Sequence, residues 1–357
     1  GALGMLLPHL FLTLSSFLLL HVLGTAPVHG CGRTSEDMIK SVHLRHMDGA
    51  EMRASPLSLP AHVISPLPSE IIRDQELPKY FDWRLVDGIK YATPSKTQNL
   101  PRMCGSCWAF STVGALSDRY AIATKGRYPD LHLSPQALLD CAIEAGSCDG
   151  GSPLLAYKFI HQTPITDLSC IPYTGQDLSN WAEMDCSQRL CRNCDRFGTC
   201  SFMPEGSNPT FGVAEYGTVQ GELPMMKEIL ARGPIACLLW AHSDSFENYK
   251  GGVITDTKKY GNGTITHAIV ILGWGEEEDG TKFWIGRNSF GTWWGEAGFF
   301  RLIRGKNALN LEDHECAWGT PSIKSIEEWT KSQPIVPSSP SLAFPSLMPA
   351  SGGVSKV

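Results

Sequence analysis

The chain has 357 residues, of which 42% are hydrophobic and 18% charged, and its net charge is −6. That is a globular composition, long enough for one large catalytic unit or two domains with a core that needs no staples. A mildly acidic chain without a basic stripe excludes ordinary nucleic-acid binding.

In chain order, Leu6 to Leu23 is almost wholly apolar and is followed by the small residues of GTAPVHG. Residues 1–30 are therefore expected to be a secretory signal peptide, with a membrane anchor as the alternative. No later stretch is long and apolar enough to span a bilayer, so no membrane contact is expected beyond that segment. Residues 31–76 are rich in Pro and Ser, show little helical period and hold one cysteine, Cys31. They read as an extended pro-segment or linker. The texture changes at Leu77, where LPKYFDWRLVDG is aromatic with turn signals.

Ala109, Val113, Leu116, Tyr120 and Ala121 follow helical spacing and Gly126 supplies a stop, which places Cys107 at a helix N-terminus. A second helix opens at SPQALLDC, with Ser134 as cap and Pro135 in the first turn. Residues 170–200 are cysteine-dense and loop-like. From about 211, PIACLLW, HAIVILGW, KFWIGRN and GFFRLIR read as strands separated by Gly or charged turns. Helices first and strands later predict an α+β protein in two halves, about 77–210 and 211–320. The Pro/Ser-rich tail, 321–357, is expected to be disordered or a linker.

The 12 cysteines, an even number behind an export signal, predict disulfides. Cys104 and Cys107, in CGSC, could be a redox pair, half of a metal site, or a structural cysteine beside a reactive one. The redox reading needs a βαβ context, and none precedes the motif. Cys186, Cys191, Cys194 and Cys200 have spacings that also fit iron–sulfur or zinc ligation, but export argues against both. No metal or other cofactor is expected.

A cysteine at a helix N-terminus feels the positive end of the helix dipole, which favours the nucleophilic thiolate. It needs a base and a group to orient that base. His267 opens an apolar strand and Asn288 ends the next, so a strand pair would set them side by side. Alone, His267 reads equally as a satisfied strand-end histidine.

CGSCWAF, THAIVILGWG and RNSFGTWWGEAGFF resemble the papain family of cysteine peptidases, and the resemblance covers roughly residues 77–320. It implies a papain-like two-domain fold: an N-terminal helical domain, a C-terminal antiparallel β-barrel-like domain, and the active-site cleft between them. It makes Cys107 the nucleophile, His267 the general base and acid, and Asn288 the residue that holds the His267 ring. Gln98 would donate its amide to the oxyanion beside the Cys107 N–H. Trp294 falls in the run that shields the His–Asn pair, and Phe290 stands where the family usually has Trp. The implied disulfides are Cys104–Cys148, Cys141–Cys186, Cys170–Cys191, Cys194–Cys200 and Cys237–Cys316. Cys31 and Cys107 remain, and a Cys31–Cys107 mixed disulfide would cap the nucleophile until reduction. The implied partners are peptide or protein substrates and protein inhibitors of cysteine peptidases, acting on a monomer.

Within the family, three features resemble the cathepsin X subfamily: the residues inserted between Gln98 and Cys104, the short pro-segment with one cysteine, and CSQRLCRNCDRFGTC. This implies a carboxypeptidase removing single C-terminal residues, working through an acyl-enzyme in the secretory pathway, lysosome or vacuole, or outside the cell. The subfamily holds the substrate carboxylate with a His in the insert and a Tyr before CGSC. Here NLPRM puts Asn99 and Met103 at those places. Arg102, with Asn99, is the candidate replacement, because a guanidinium grips a carboxylate bidentately; the alternative is a solvated loop charge. Gly150 and Gly151, after Cys148 and Asp149, resemble the family's substrate-binding loop, against the alternative of a plain tight turn. Asn262-Gly263-Thr264 is a glycosylation sequon. The remaining functional alternatives are an endopeptidase or other exopeptidase, a thiol–disulfide oxidoreductase, and a non-catalytic peptide binder.

Overall fold

Helix α1 (Cys107–Ala123) is where the two halves of the protein meet. The computed structural model describes residues 61–127, 131–177, 191–204, 208–260 and 265–332. Helix α1 ends as the sequence predicts: Gly126 sits at φ 70° and its N–H donates to Ala121 O at 2.8 Å. Helix α2 (Pro135–Cys141) opens on Ser134, whose hydroxyl accepts the Ala137 N–H. Helix α3 (Pro153–Gln162) opens the same way on Ser152.

The strand half is one sheet of eight strands. In chain order these are β1 (Phe81–Asp82), β2 (Val213–Val219), β3 (Ile235–Leu239), β4 (Val253–Ile254), β5 (His267–Glu276), β6 (Lys282–Arg287), β7 (Phe299–Ile303) and β8 (Cys316–Pro321). The order across the sheet is β2-β8-β3-β5-β6-β7-β4, with β1 added to β5. All pairs are antiparallel except β7 with β4. Among the described residues β2 and β4 do not pair with each other, so the sheet stays open. The papain-like α+β fold expected from the family resemblance is found, with the strand half an open sheet rather than a closed barrel.

Strand β5 lies at the centre of the sheet and is buried along nearly its whole length, which is why HAIVILGW reads as an unbroken apolar run rather than an alternating one. Against one face pack α1 and α3, through residues such as Trp108, Leu116 and Tyr157. A second cluster, with Trp274, Trp284, Phe300 and Trp318, fills the rest of the strand half. The Cys237–Cys316 disulfide staples β3 to β8.

Helix α1 is buried on every side, so its charged residues must be paired within the protein. Asp118 meets Arg287 at 2.9 Å, and the Arg287 guanidinium also donates to Thr93 O and Oγ1. Arg119 meets Glu228 at 2.9 Å and donates to Pro234 O. Both pairs join the helical half to the strand half.

Two elements depart from the sequence reading. Helix α4 (Glu222–Arg232) lies between β2 and β3, inside the region expected to be strands. Helix α5 (Ile323–Ser332) occupies the start of the tail expected to be disordered, docked by the Ser325 hydroxyl, which accepts the Gly212 N–H at 3.0 Å. Before Leu77, residues 62–65 lie along β2. His62 and Tyr216 exchange backbone hydrogen bonds, and the Glu215 carboxylate accepts from Ile64 N, Ser65 N and Ser65 Oγ, each at 3.0 Å. Between this stretch and Leu77, Pro68–Ile71 form a short helix and Asp74–Glu76 a 3-10 turn, so the described part of the segment is not extended throughout.

Candidate active site

Cys107 is the first residue of α1, after Ser106 at the cap position. The helix dipole therefore points its positive end at the sulfur. Helix α1 packs on β5, whose first residue is His267. Asn288 immediately follows β6, the neighbour of β5. The strand pairing expected from the sequence thus brings His267 and Asn288 together, with His267 Nε2 2.8 Å from Asn288 Oδ1.

The bond fixes the tautomer. Asn288 Oδ1 also accepts the Ser289 N–H at 2.7 Å, so it faces His267 as an acceptor. Nε2 must then carry the proton, and in the neutral ring Nδ1 keeps its lone pair. Among the described residues Nδ1 is buried with no hydrogen-bond partner. Burial pushes His267 down to about 4, against the opposing effect of the Asn288 bond and with a smaller push from the charge on His242. Phe290 covers the ring, with centroids 4.9 Å apart, and Trp294 lies edge-on to Phe290 at 5.8 Å. Phe246 adds a third aromatic contact at 6.1 Å. The Trp294 Nε1–H is used on Glu247 O at 3.2 Å, so Phe290 rather than Trp294 touches the histidine.

Gln98 is buried and held from three directions. Its Oε1 accepts from Ser289 Oγ at 2.6 Å, its backbone N–H donates to Ser289 O at 2.9 Å, and its Nε2 donates to Cys104 O at 3.0 Å. An amide nitrogen has two hydrogens, so one remains for a substrate oxygen. Tyr173 braces this region, donating to Gln98 O at 2.7 Å and sharing a hydrogen with Ser106 Oγ. Sequence reasoning missed Ser289, Tyr173 and Phe246. Only Ser289, inside RNSF, had a nearby motif to point to it.

Cys107 is fully buried and disulfide-bonded, to a partner outside the described residues. Cys104 is joined to Cys148, Cys170 to Cys191 and Cys194 to Cys200. Cys141 is also disulfide-bonded. Cys31, Cys186 and Asn262 lie outside the described residues. Among the described residues no group of three or more His, Cys, Asp or Glu side chains could hold a metal ion.

Gly150 and Gly151 pair with Ser147 and Gly146 in a two-stranded turn beside the Cys107 helix, where Gly105 N donates to Cys148 O at 2.7 Å. Gly150 has φ 124°, and a Cβ on Gly151 would come within 2.5 Å of the Trp108 ring. Both positions demand glycine. Asn99 follows Gln98 directly, and its buried Oδ1 has no partner among the described residues. Arg102 is exposed and lies over Gly175. With the Gln176 amide oxygen turned toward it, the guanidinium donates to that oxygen from Nη2 at 3.2 Å and from Nη1.

The arrangement can perform nucleophilic acyl transfer: a cysteine at a helix N-terminus, a histidine with one free lone pair, an amide orienting it, and a second amide beside them. The comparisons agree. The profile of the papain family cysteine proteases matches residues 77–320. The chain is 38% identical over 256 residues to cathepsin Z of Onchocerca volvulus, covering 69% of this chain and 78% of that one. It is 31% identical over 274 residues to cathepsin B-like cysteine proteinase 6 of Caenorhabditis elegans, covering 71% and 69%. Among solved structures, digestive procathepsin L2 proteinase from the Tenebrio molitor larval midgut aligns with TM-score 0.54 and 28% identity, over 70% of this chain and 69% of that one. The ragweed cysteine protease Amb a 11, in its proform, aligns with TM-score 0.55 and 26% identity, over 71% and 67%. With the family profile spanning more than half of its length, the chain belongs to the papain family of cysteine proteases.

Proposed function

We propose that this papain-family cysteine peptidase is a carboxypeptidase that removes residues from the C-terminus of peptides, with Cys107, His267, Asn288 and Gln98 as its machinery. The Cys107 thiolate attacks the scissile carbonyl carbon, and the oxyanion is held by the Cys107 N–H and the spare N–H of Gln98. His267, as imidazolium, gives its Nδ1 proton to the leaving nitrogen as the C–N bond breaks. It then takes a proton from water, whose oxygen attacks the thioester, and Cys107 leaves as thiolate. Asn288 keeps Nδ1 aimed at the sulfur throughout, and Gly150 and Gly151 offer backbone to the extended peptide.

The observation that carries the carboxypeptidase reading is the position of the Asn99–Met103 insert. It is continuous with Gln98 and ends at Cys104, and its Arg102 lies over Gly175 next to Cys148. It would limit how much chain can extend past the scissile bond. The likeness to cathepsin Z of Onchocerca volvulus supports the same assignment. The disulfide at Cys107 supports a latent precursor, with Cys31 as the proposed partner, activated by reduction. The disulfides and the apolar leader support synthesis in the secretory pathway, with lysosomal, vacuolar or extracellular delivery.

The test compares one peptide with a free C-terminus against its C-terminal amide, using reduced protein at mildly acidic pH and Cys107→Ser as the blank. Loss of single residues from the free acid is the expected result. Equal or internal cleavage of both would reject the carboxypeptidase assignment in favour of an endopeptidase.

A further inference from the structure

A carboxypeptidase needs a cation for the substrate's free carboxylate, and the insert supplies it poorly. Asn99 is neutral, Met103 is apolar, and the Arg102 guanidinium is engaged with Gln176 over Gly175. A histidine stands nearby on the strand side of the site. In the sheet, Leu239 of β3 lies opposite His267. The chain runs on through Trp240 and Ala241 to His242, so His242 leaves the sheet beside the reacting histidine, close enough for its charge to act on His267.

His242 is built in. Its Nδ1 meets Glu247 Oε1 at 3.2 Å, and both side chains are partly exposed, at 39% and 28%. The Trp240 ring stands edge-on to it at 5.6 Å and is itself stacked on Tyr260 at 5.3 Å. The Trp240 Nε1–H donates to His242 O at 2.9 Å. Glu247 is tied to the site, because its backbone oxygen accepts from Trp294, which packs on the Phe290 that covers His267. Among the described residues no hydrogen bond uses His242 Nε2.

We propose that His242, oriented by Glu247, binds the free α-carboxylate of the substrate's C-terminal residue through Nε2–H. The carboxylate of Glu247 takes the Nδ1 hydrogen, which leaves the Nε2–H for a bond to the second carboxylate. The ligand class is any peptide whose last residue, with its free carboxylate, directly follows the scissile bond. The proposal rests on the carboxypeptidase reading above.

The test uses the reduced, full-length protein and measures the ratio of kcat/KM for a free-acid peptide to that for its amide. Wild type and Arg102→Ala are expected to share a high ratio. His242→Ala should lower it at least tenfold, and His242→Arg, which restores a cation, should recover it. Because His242 is exposed, its truncation leaves the core intact. A His242→Ala enzyme that keeps the wild-type ratio overturns the anchor while leaving the carboxypeptidase reading standing. Collapse of the ratio in Arg102→Ala, with His242→Ala unaffected, moves the anchor to Arg102. A wild-type ratio near one rejects both the anchor and the carboxypeptidase reading.

Discussion

Reducing the disulfide at Cys107 should change the charge state of His267 at mildly acidic pH. While Cys107 is bonded, the buried imidazole has no anion beside it and titrates at about 4, below the ordinary histidine range. It is therefore neutral at pH 5 to 6. In the proposed Cys107–His267 pairing, reduction creates a thiolate facing Nδ1. Two opposite charges about 4 Å apart attract by about 4 kcal/mol at the effective dielectric of a protein site. At 1.36 kcal/mol for each pH unit, that should raise the His267 midpoint from about 4 to roughly 7. The sign is fixed: an anion favours the imidazolium, so the midpoint can only rise. The assay is an NMR titration of the His267 ring in the unreduced and reduced protein, with His267→Gln to assign the signal. An unchanged midpoint after reduction, with Cys107 confirmed as free thiol, would refute the pairing of this sulfur with this ring.

Gln98→Ala should lower kcat about a hundredfold or more, because one oxyanion donor is lost, and should also lower the melting temperature, because Cys104 O and Ser289 Oγ lose a buried partner; kinetics paired with a melting curve checks both. Arg287→Met should destabilise the protein by about 3–5 kcal/mol in urea unfolding, because it strands the buried Asp118 carboxylate at the junction of the two halves. Asn288→Ala frees Nε2 and the ring's orientation, so kcat should fall far more than KM rises, which steady-state kinetics would resolve. Gly151→Ala drives a methyl into the Trp108 ring and should both raise KM and lower the melting temperature, read by the same two assays.

The chemistry was legible in the sequence because it is written in short runs. CGSCWAF fixes a helix start, and a strand start and a strand end fix His267 and Asn288. Helix α1 was legible from its spacing and its glycine stop. What its sequence hides is that Asp118 and Arg119 are interior, because their partners lie 169 and 109 residues away. Helix α4 lies inside the region that read as strands from about 211, although Met225, Met226 and Ile229 fall on one buried face. Helix α5 was hidden by the Pro/Ser content of the tail that follows it. The open sheet could not be read, since closure depends on the order of strands and not on their composition. Phe246 and His242 reach the site only through the return of the chain after β3, so no local motif could announce them.

The most direct test of the account is to trap the intermediate. Reduced protein is mixed with a depsipeptide whose scissile bond is an ester and whose last residue keeps its free carboxylate, quenched in acid within the first turnover, and mapped by mass spectrometry. The account predicts an acyl group on Cys107 alone, absent in Cys107→Ser and strongly reduced in His267→Ala. An acyl group on Cys104 or elsewhere, or hydrolysis that survives Cys107→Ser, would contradict it.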